Sequence, residues 1–531
     1  MIHRLSNKPV VLIVLDGWGI MPPHSGNAIS QARTPIFDSL ITKYPSTTLL
    51  ASGEAVGLPR EVVGNSETGH LNLGLGRIIY QSLPKINKAI NNNSFYKNTA
   101  LLRAIEHVKK NNSKLHLLGL ISDGSIHSSK RHLRALLILA KKYKIKEVYI
   151  HAILDGRDTL YNEGVKFIKN IQNYLHKYGI GKIVTISGRF YAMDRDNHWE
   201  RIAKAYVAIV NGKGRYGGDD PIKIIQDSYD KKVYDEEFLP TVLTKDNEAI
   251  SKIEDNDSVI FFNYRADRAR QLTKTLVLPG FEKFTGWKYL NNLFFVCFTQ
   301  YEKDLPVEIA FPADEKNSNS LGEIISKAGL KQLRIAETEK YVHVTYFFNG
   351  NIEEPFNNEN HVLIPSPRVD SYDVSPKMSA IEITKKVIKF IHQDIYDFIL
   401  INFANADMIG HTGNLQAGIK AIETVDKCLG KIIKNVLNNN GIAIVTADHG
   451  NAEMMFDVQA NIINKEHTNN PVPFVIVSKQ FEGKTADFQE IPGNDLSLIN
   501  PQGILSDVAP TVLKIMKLRK PKEMTGRSLI K

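Results

Sequence analysis

Short apolar runs recur along the chain at Val10–Leu15, Leu115–Ile121, Glu147–Leu154, Lys182–Ser187, Ser258–Asn263, Leu293–Phe298, Phe398–Phe403 and Ile442–Thr446. Runs of this length suit strands buried on both faces. Between them, apolar residues are spaced three and four apart, as at Leu133, Leu136, Leu137 and Ala140, and at Ile422, Val425, Leu429, Ile432, Ile433 and Val436. That spacing lays one apolar stripe along a helix. Strands alternating with helices predict an α/β chain whose sheets are parallel or mixed and covered on both faces.

The 531 residues suggest two to four domains at about 150 residues each. With 43% hydrophobic and 23% charged residues, composition excludes whole-chain disorder. The net charge of +10 is spread over the chain, so it reads as a Lys- and Asn-rich solvated surface and predicts no nucleic-acid partner. Two cysteines exclude a disulfide framework and fit a reducing compartment. Arg4 and Lys8 precede the Val10–Leu15 run, but Asp16 ends it well short of the roughly 18 residues of a membrane span, and no small-residue cleavage site follows. A cytoplasmic protein without a membrane partner is expected. Boundaries are expected near Gly74–Pro84 and Glu302–Asn319, with 313–319 exposed.

Three strands run into metal-type ligands. Val10–Leu15 leads to Asp16, Phe398–Phe403 leads to Asp407 and His411, and Ile442–Thr446 leads to Asp448 and His449. His467 follows before a Pro-Val-Pro turn. Ligands bind at the carboxyl ends of parallel strands, so these groups are expected on one rim, each just past a strand and none within a helix. Mixed carboxylate and imidazole donors suit borderline divalent ions, and three Asp with three His suffice for two. Asp after a strand also serves as an N-cap, so it is the joint pattern that points to metal. Ser66, in Val63-Gly64-Asn65-Ser66-Glu67-Thr68-Gly69-His70, is a candidate nucleophile. No GxSxG elbow accompanies it, so metal activation is the expected partner.

Between residues 120 and 270 the chemistry changes. His127, Arg157 with Asp158, Arg189, Arg195, Arg265 and Arg268 all follow predicted strands. Guanidinium forks bind phosphate and carboxylate in paired hydrogen bonds, so this set predicts a polyanion clamp. Metal-type groups flank the arginines in sequence, which predicts one domain interrupted by another, with a charged small molecule between them.

The motifs VLDGWG, VGNSETGHLNLGLGR, SDGSIHS, LDGRDT, GRFYAMDRDNHWER, NYRADRAR, ETEKYVHVTYFFNG, PSPRV, NFANADMIGHTG, TADHGNAE and EHTNNPVPF occur in this order. Together they resemble the cofactor-independent phosphoglycerate mutases of the alkaline phosphatase superfamily, over essentially the whole chain. Tyr264 and Thr68 depart from the usual motif without touching a functional position. The resemblance implies an alkaline phosphatase-like doubly wound sheet domain (1–80 and 316–531) interrupted by an inserted α/β substrate domain (81–315). It implies an isomerase of glycolysis and gluconeogenesis that interconverts 3- and 2-phosphoglycerate through a phosphoserine at a two-metal site, without 2,3-bisphosphoglycerate. It assigns one manganese-type ion to Asp407, His411 and His467, and another to Asp16, Ser66, Asp448 and His449. Ser66 is the implied nucleophile and Lys340 lies near the transferred phosphoryl group. His127, Arg157, Asp158, Arg189, Arg195, Arg265 and Arg268 hold the substrate. A monomer is expected. A metal-dependent phosphatase or a phosphopentomutase of the same superfamily is the alternative.

Overall fold

The computed structural model describes residues 8–313, 318–486 and 488–530. Arg4 and residues 314–317 of the expected boundary lie outside the described residues. The chain divides into two compact units, Met1–Gln81 with Lys316–Lys531, and Ser82–Glu315.

The first unit is built on Val10–Leu15, every residue of which is buried. Burying six large aliphatic side chains is worth about 1.5–3 kcal/mol each, which makes this run the natural centre of a sheet. It pairs in parallel with Phe398–Phe403 on one side and Ile442–Thr446 on the other. The full order is Glu359–Ile364, Gln332–Glu337, Phe398–Phe403, Val10–Leu15, Ile442–Thr446, Val472–Val477, Ser46–Leu50 and Gly503–Ile504. The first five are parallel, and Val472–Val477 is antiparallel to both neighbours. The predicted stripe of Ile422 to Val436 lies on the helix Leu415–Asn438, which buries it against the sheet's core.

The second unit has its own sheet, in the order Glu308–Ile309, Phe294–Cys297, Ser258–Phe261, Leu115–Ile121, Val148–Leu154, Lys182–Gly188, Thr241–Lys245 and Arg215–Gly217, with Glu248–Ala249 against Thr241–Lys245. Only the pairings of Thr241–Lys245 with Lys182–Gly188 and with Glu248–Ala249 are antiparallel. Separate apolar clusters form around Leu117 and Ile150 and around Leu118 and Phe261. Neighbouring residues of one strand point to opposite faces, so Leu117 and Leu118 mark a sheet covered on both sides. Both units are therefore α/β, as the alternating pattern predicts.

Several expectations need correction. Gly74 lies inside the helix Ser66–Leu75 and Pro84 inside Ser82–Asn91, so the non-helical connection is only 76–81. Of 313–319, Ala313 is exposed, whereas Ser318 and Asn319 are half-buried. The expected Pro-Val-Pro turn opens the buried strand Val472–Val477, where Pro473 stands opposite Thr48. The strand Gln332–Glu337 has no apolar run to announce it. Gln332, Arg334 and Glu337 are buried there, and Arg334 Nη2 donates to Gln332 Oε1 at 2.7 Å.

Candidate active site

Asn65 is extended and its side chain accepts the Thr68 amide at 2.9 Å, capping the helix Ser66–Leu75. Ser66 is thereby the first helical residue, with a nearly buried hydroxyl. That hydroxyl donates to Asp16 Oδ1 at 3.2 Å, lies 2.9 Å from His449 Nε2, and accepts from Lys340 Nζ at 2.7 Å. Lys340 arrives from the turn Thr338–Lys340 that ends the Gln332–Glu337 strand. Its ammonium also donates to Asp16 Oδ1 at 2.7 Å and Asp407 Oδ2 at 2.6 Å, which uses all three of its protons.

Asp407 departs from the expectation that no ligand falls in a helix. It is the third residue of the short helix Asn405–Gly410, whose entry is held by the Asp407 amide donating to Asp16 O at 3.1 Å. The close approach requires glycine next to Asp16: Gly17 has φ +77°, and a Cβ there would stand 2.7 Å from the Asp407 backbone. Asp407 Oδ1 is 3.3 Å from His411 Nε2 and 3.1 Å from His467 Nε2. These two nitrogens are 3.0 Å apart. His411 Nδ1 meets Lys465 O at 2.7 Å and His467 Nδ1 meets Gly64 O at 2.8 Å. Carbonyl oxygens only accept, so each Nδ1 carries its proton and each Nε2 turns toward Asp407.

The electrostatics follow from burial against charge. Burial alone raises the Asp16 carboxyl, but the Lys340 ammonium and His449 outweigh it and hold the group well below the usual range. Asp407 is held down by the same balance. Burial alone lowers His449, but Asp448, Asp16 and Asp407 raise it to about 10. The His411 proton affinity rises through its hydrogen bond to Asp407. Three buried carboxylates thus face one buried ammonium, and Asp448 Oδ2, which accepts no hydrogen bond among the described residues, stands 3.2 Å from His70 Nδ1. Two imidazole nitrogens and a carboxylate oxygen converging on one point, beside the Asp448 carboxylate, form an electron-rich centre that fits divalent cations. Ligand atoms of Asp407, His449 and His467 lie within 4.8 Å of one another, as do those of Asp16, His70 and Asp448. His449 also stands 3.5 Å from Asp16 and 3.6 Å from Asp448, so it faces both groups.

Sequence reasoning missed the residues that orient these ligands. His70, one turn after Ser66, meets Ser66 O at 2.9 Å through Nδ1 and Asn402 Nδ2 at 3.1 Å through Nε2. Asn402 also donates to Asp16 Oδ2 at 2.7 Å. Asn451 donates to Asp407 Oδ1 at 2.9 Å. The only sequence signal was that each lies in a strand or motif already carrying a ligand.

The second unit gathers the basic set. Arg189 is buried and its Nη1 donates to Asp155 and Asp158, both at 2.6 Å. Arg195 and Arg265 share Asp267 at 3.2 and 3.1 Å. His127 is buried between Asp158 at 3.9 Å and Asp267 at 3.8 Å. Burial and the Arg189 charge lower its pKa to about 4. Arg268 donates to Met193 O at 3.3 Å, and burial and the like charges of Arg189, Arg195 and Arg157 lower its proton affinity. Arg157, half exposed, is drawn aside to Glu236 at 3.3 Å. Guanidinium groups gathered this closely suit an anion, although Arg189, Arg195, Arg265 and Arg157 are each paired here with a carboxylate. Asp155 was not anticipated. It takes the Arg157 and Asp158 amides at 3.2 and 3.0 Å, besides Arg189 and the Ser122 hydroxyl.

Residues 8–520 match the metalloenzyme superfamily. A Clostridium botulinum protein (strain ATCC 19397 / Type A) named 2,3-bisphosphoglycerate-independent phosphoglycerate mutase is 50% identical, over 99% of this chain and 100% of that protein. A Moorella thermoacetica protein of the same name is 48% identical, over 99% of this chain and 98% of that protein. Among solved structures, a Leishmania mexicana phosphoglycerate mutase crystallised at low cobalt concentration is 29% identical with a TM-score of 0.51, covering 98% of each chain.

Proposed function

The chain belongs to the 2,3-bisphosphoglycerate-independent phosphoglycerate mutases of the metalloenzyme superfamily, and on that premise we propose that it interconverts 3- and 2-phosphoglycerate through a phosphoserine at Ser66. The observation that carries this reading is the Ser66 hydroxyl, contacted at once by Asp16, His449 and Lys340 from three distant segments. Asp407, His411 and His467 hold one divalent ion, and Asp16, Ser66, Asp448 and His449 hold the other. Manganese is the proposed metal, and the mixed carboxylate and imidazole donors suit cobalt as well. Bound ions supply positive charge to the transferring phosphoryl group and lower the pKa of the Ser66 hydroxyl.

The chain's own residues do the rest. Ser66 Oγ gives up its proton and attacks phosphorus in line, the bond from phosphorus to the glycerate oxygen breaks with its electron pair going to that oxygen, which takes up a proton in turn, and the phosphoryl group rests on Ser66. Lys340, already 2.7 Å from Oγ, places an ammonium where charge develops on that oxygen. The phosphoryl group then sits on the first residue of a helix, where the macrodipole favours negative charge. His127, Arg157, Asp158, Arg189, Arg195, Arg265 and Arg268 form the substrate set, with the arginines holding the glycerate carboxylate while its two hydroxyls exchange places. The second hydroxyl takes the phosphoryl group back and restores Ser66. The enzyme thereby serves glycolysis and gluconeogenesis in the cytoplasm, as a monomer.

A coupled assay tests the reading. With 3-phosphoglycerate, manganese and enolase, and without 2,3-bisphosphoglycerate, the protein is expected to yield phosphoenolpyruvate, and Ser66→Ala is expected to abolish the yield. Retention of more than about a tenth of the parent rate, one decade in barrier terms, refutes the nucleophile assignment. Inorganic phosphate as the sole product refutes the mutase in favour of a phosphatase.

A further inference from the structure

Glu453 is a carboxylate with no solvent exposure and no place in the chemistry just described. It lies in the turn Ala452–Met454 and accepts four hydrogen bonds. Oε2 takes the Gly19 amide at 3.1 Å and the Asn451 amide at 2.8 Å. Oε1 takes the Thr468 hydroxyl and Asn470 Nδ2, the latter at 3.0 Å. Four donors match the four lone-pair sites of a carboxylate.

Each donor stands within three residues of a proposed metal ligand. Gly19 follows Asp16, Asn451 follows Asp448 and His449, and Thr468 and Asn470 follow His467. Asn451 also reaches Asp407 Oδ1 with its side chain at 2.9 Å. One carboxylate therefore ties Gly19, 434 positions away, and the nearby Thr468 and Asn470 to its own turn and, through Asn451, orients a ligand on a further segment. The backbone is shaped to it, since a Cβ on Gly19 or on Gly450 would run into the Glu453 carboxyl group.

We propose that Glu453 is a positioning residue for the metal centre, setting the relative placement of Asp16, Asp448/His449 and His467 and hence the affinity for divalent ions; this rests on the reading that those residues hold metal. Its charge and its shape both matter. Gln at this position has the same size, but its NH₂ faces either the two backbone amides, which only donate, or Thr468 and Asn470, where the hydroxyl can turn to accept but the Asn470 NH₂ opposes it, so at least one bond is lost to a donor–donor contact. Outer residues that orient metal ligands typically carry about 10- to 100-fold in metal affinity.

The test is Mn²⁺ binding to the full chain after chelator dialysis, measured by equilibrium dialysis without substrate, on the parent, Glu453→Gln, Thr468→Val and Asp407→Asn. Glu453→Gln is expected to weaken Mn²⁺ binding about 10- to 100-fold. At saturating Mn²⁺ its KM for 3-phosphoglycerate is expected to stay near the parent value, a split that general loss of structure does not produce. Thr468→Val removes one donor at constant shape and is expected to shift affinity the same way by a smaller factor. If Glu453→Gln folds and binds Mn²⁺ within twofold of the parent, the inference is overturned. If Glu453→Gln does not fold, Thr468→Val decides: weakened binding supports the inference and unchanged binding overturns it. Asp407→Asn separates the two claims, because unchanged Mn²⁺ binding there refutes the metal reading itself, whatever Glu453 does.

Discussion

Lys340 Nζ and Ser66 Oγ stand 2.7 Å apart although 274 residues separate them in the chain. Burial alone would strip the ammonium of its proton, yet Asp16, Asp407 and Asp448 raise its proton affinity instead. The neighbouring carboxylates thus favour the charged ammonium, and it faces the oxygen proposed to take the phosphoryl group. We expect Lys340→Met to lower kcat about 10²- to 10³-fold, the usual consequence of removing one preorganised charge-stabilising donor. Lys340→Arg is not expected to rescue it, since the closely enclosed site has no room for a planar fork. Steady-state rates within threefold of the parent for Lys340→Met would sink the role.

Chelation is expected to inactivate the enzyme, and added manganese to restore it. The pH dependence follows from the imidazoles. His449 is drawn up to about 10 and His411 is also raised, so protons compete for the nitrogens that bind metal. Apparent metal affinity is therefore expected to rise with pH, by about tenfold per unit for each proton displaced. Calorimetric titrations of the chelator-treated protein at pH 6, 7 and 8 check the slope; a flat profile argues against imidazole ligation.

Glu337 offers a stability test away from the ligands. It is fully buried, accepts from the Ser366 hydroxyl at 2.9 Å, and burial raises its carboxyl to about 7 from 4.5. A carboxyl that binds its proton more tightly when folded stabilises the native state at low pH. That contribution fades as pH climbs from 4.5 to 7 and is gone above it. Glu337→Gln mimics the protonated group, so it is expected to gain on the parent at pH 8, by on the order of 1–3 kcal/mol, and to match it near pH 4.5. Urea unfolding at the two pH values gives the comparison. An equal change at both removes the titration argument.

The arginines of the second unit predict a leak when removed. Arg265 is half exposed, and Arg268 is partly buried among like charges. If they hold the glycerate while its hydroxyls exchange, Arg265→Ala with Arg268→Ala is expected to cut mutase activity steeply and to raise the ratio of inorganic phosphate to 2-phosphoglycerate. A parallel fall in both products assigns the arginines to initial binding alone. Activity within twofold of the parent removes them from the substrate set.

Much of the fold is legible in the chain because burial on both faces leaves a strand few polar positions, as at His116 and Asn402. Val10–Leu15, Leu115–Ile121, Phe398–Phe403 and Ile442–Thr446 begin and end where the apolar runs do. The acids and imidazoles at their ends are legible for a related reason, since a charged residue directly after such a run stands out from it in the sequence, although Asp16, Asp448 and His449 stay buried. Gln332–Glu337 is hidden because it alternates buried polar with apolar residues, and the partners of Gln332 and Glu337, Gly322 and Ser366, come from segments that no local pattern records. The same holds for the parts that orient the site. His70 and Asn402 are ordinary residues until the fold brings them together across 332 positions, and Glu453 meets Gly19 across 434. The type of chemistry is set by residue identity and by local position relative to a strand. The placement of each ligand is set by hydrogen bonds between remote segments, and those exist only once the sheet has assembled.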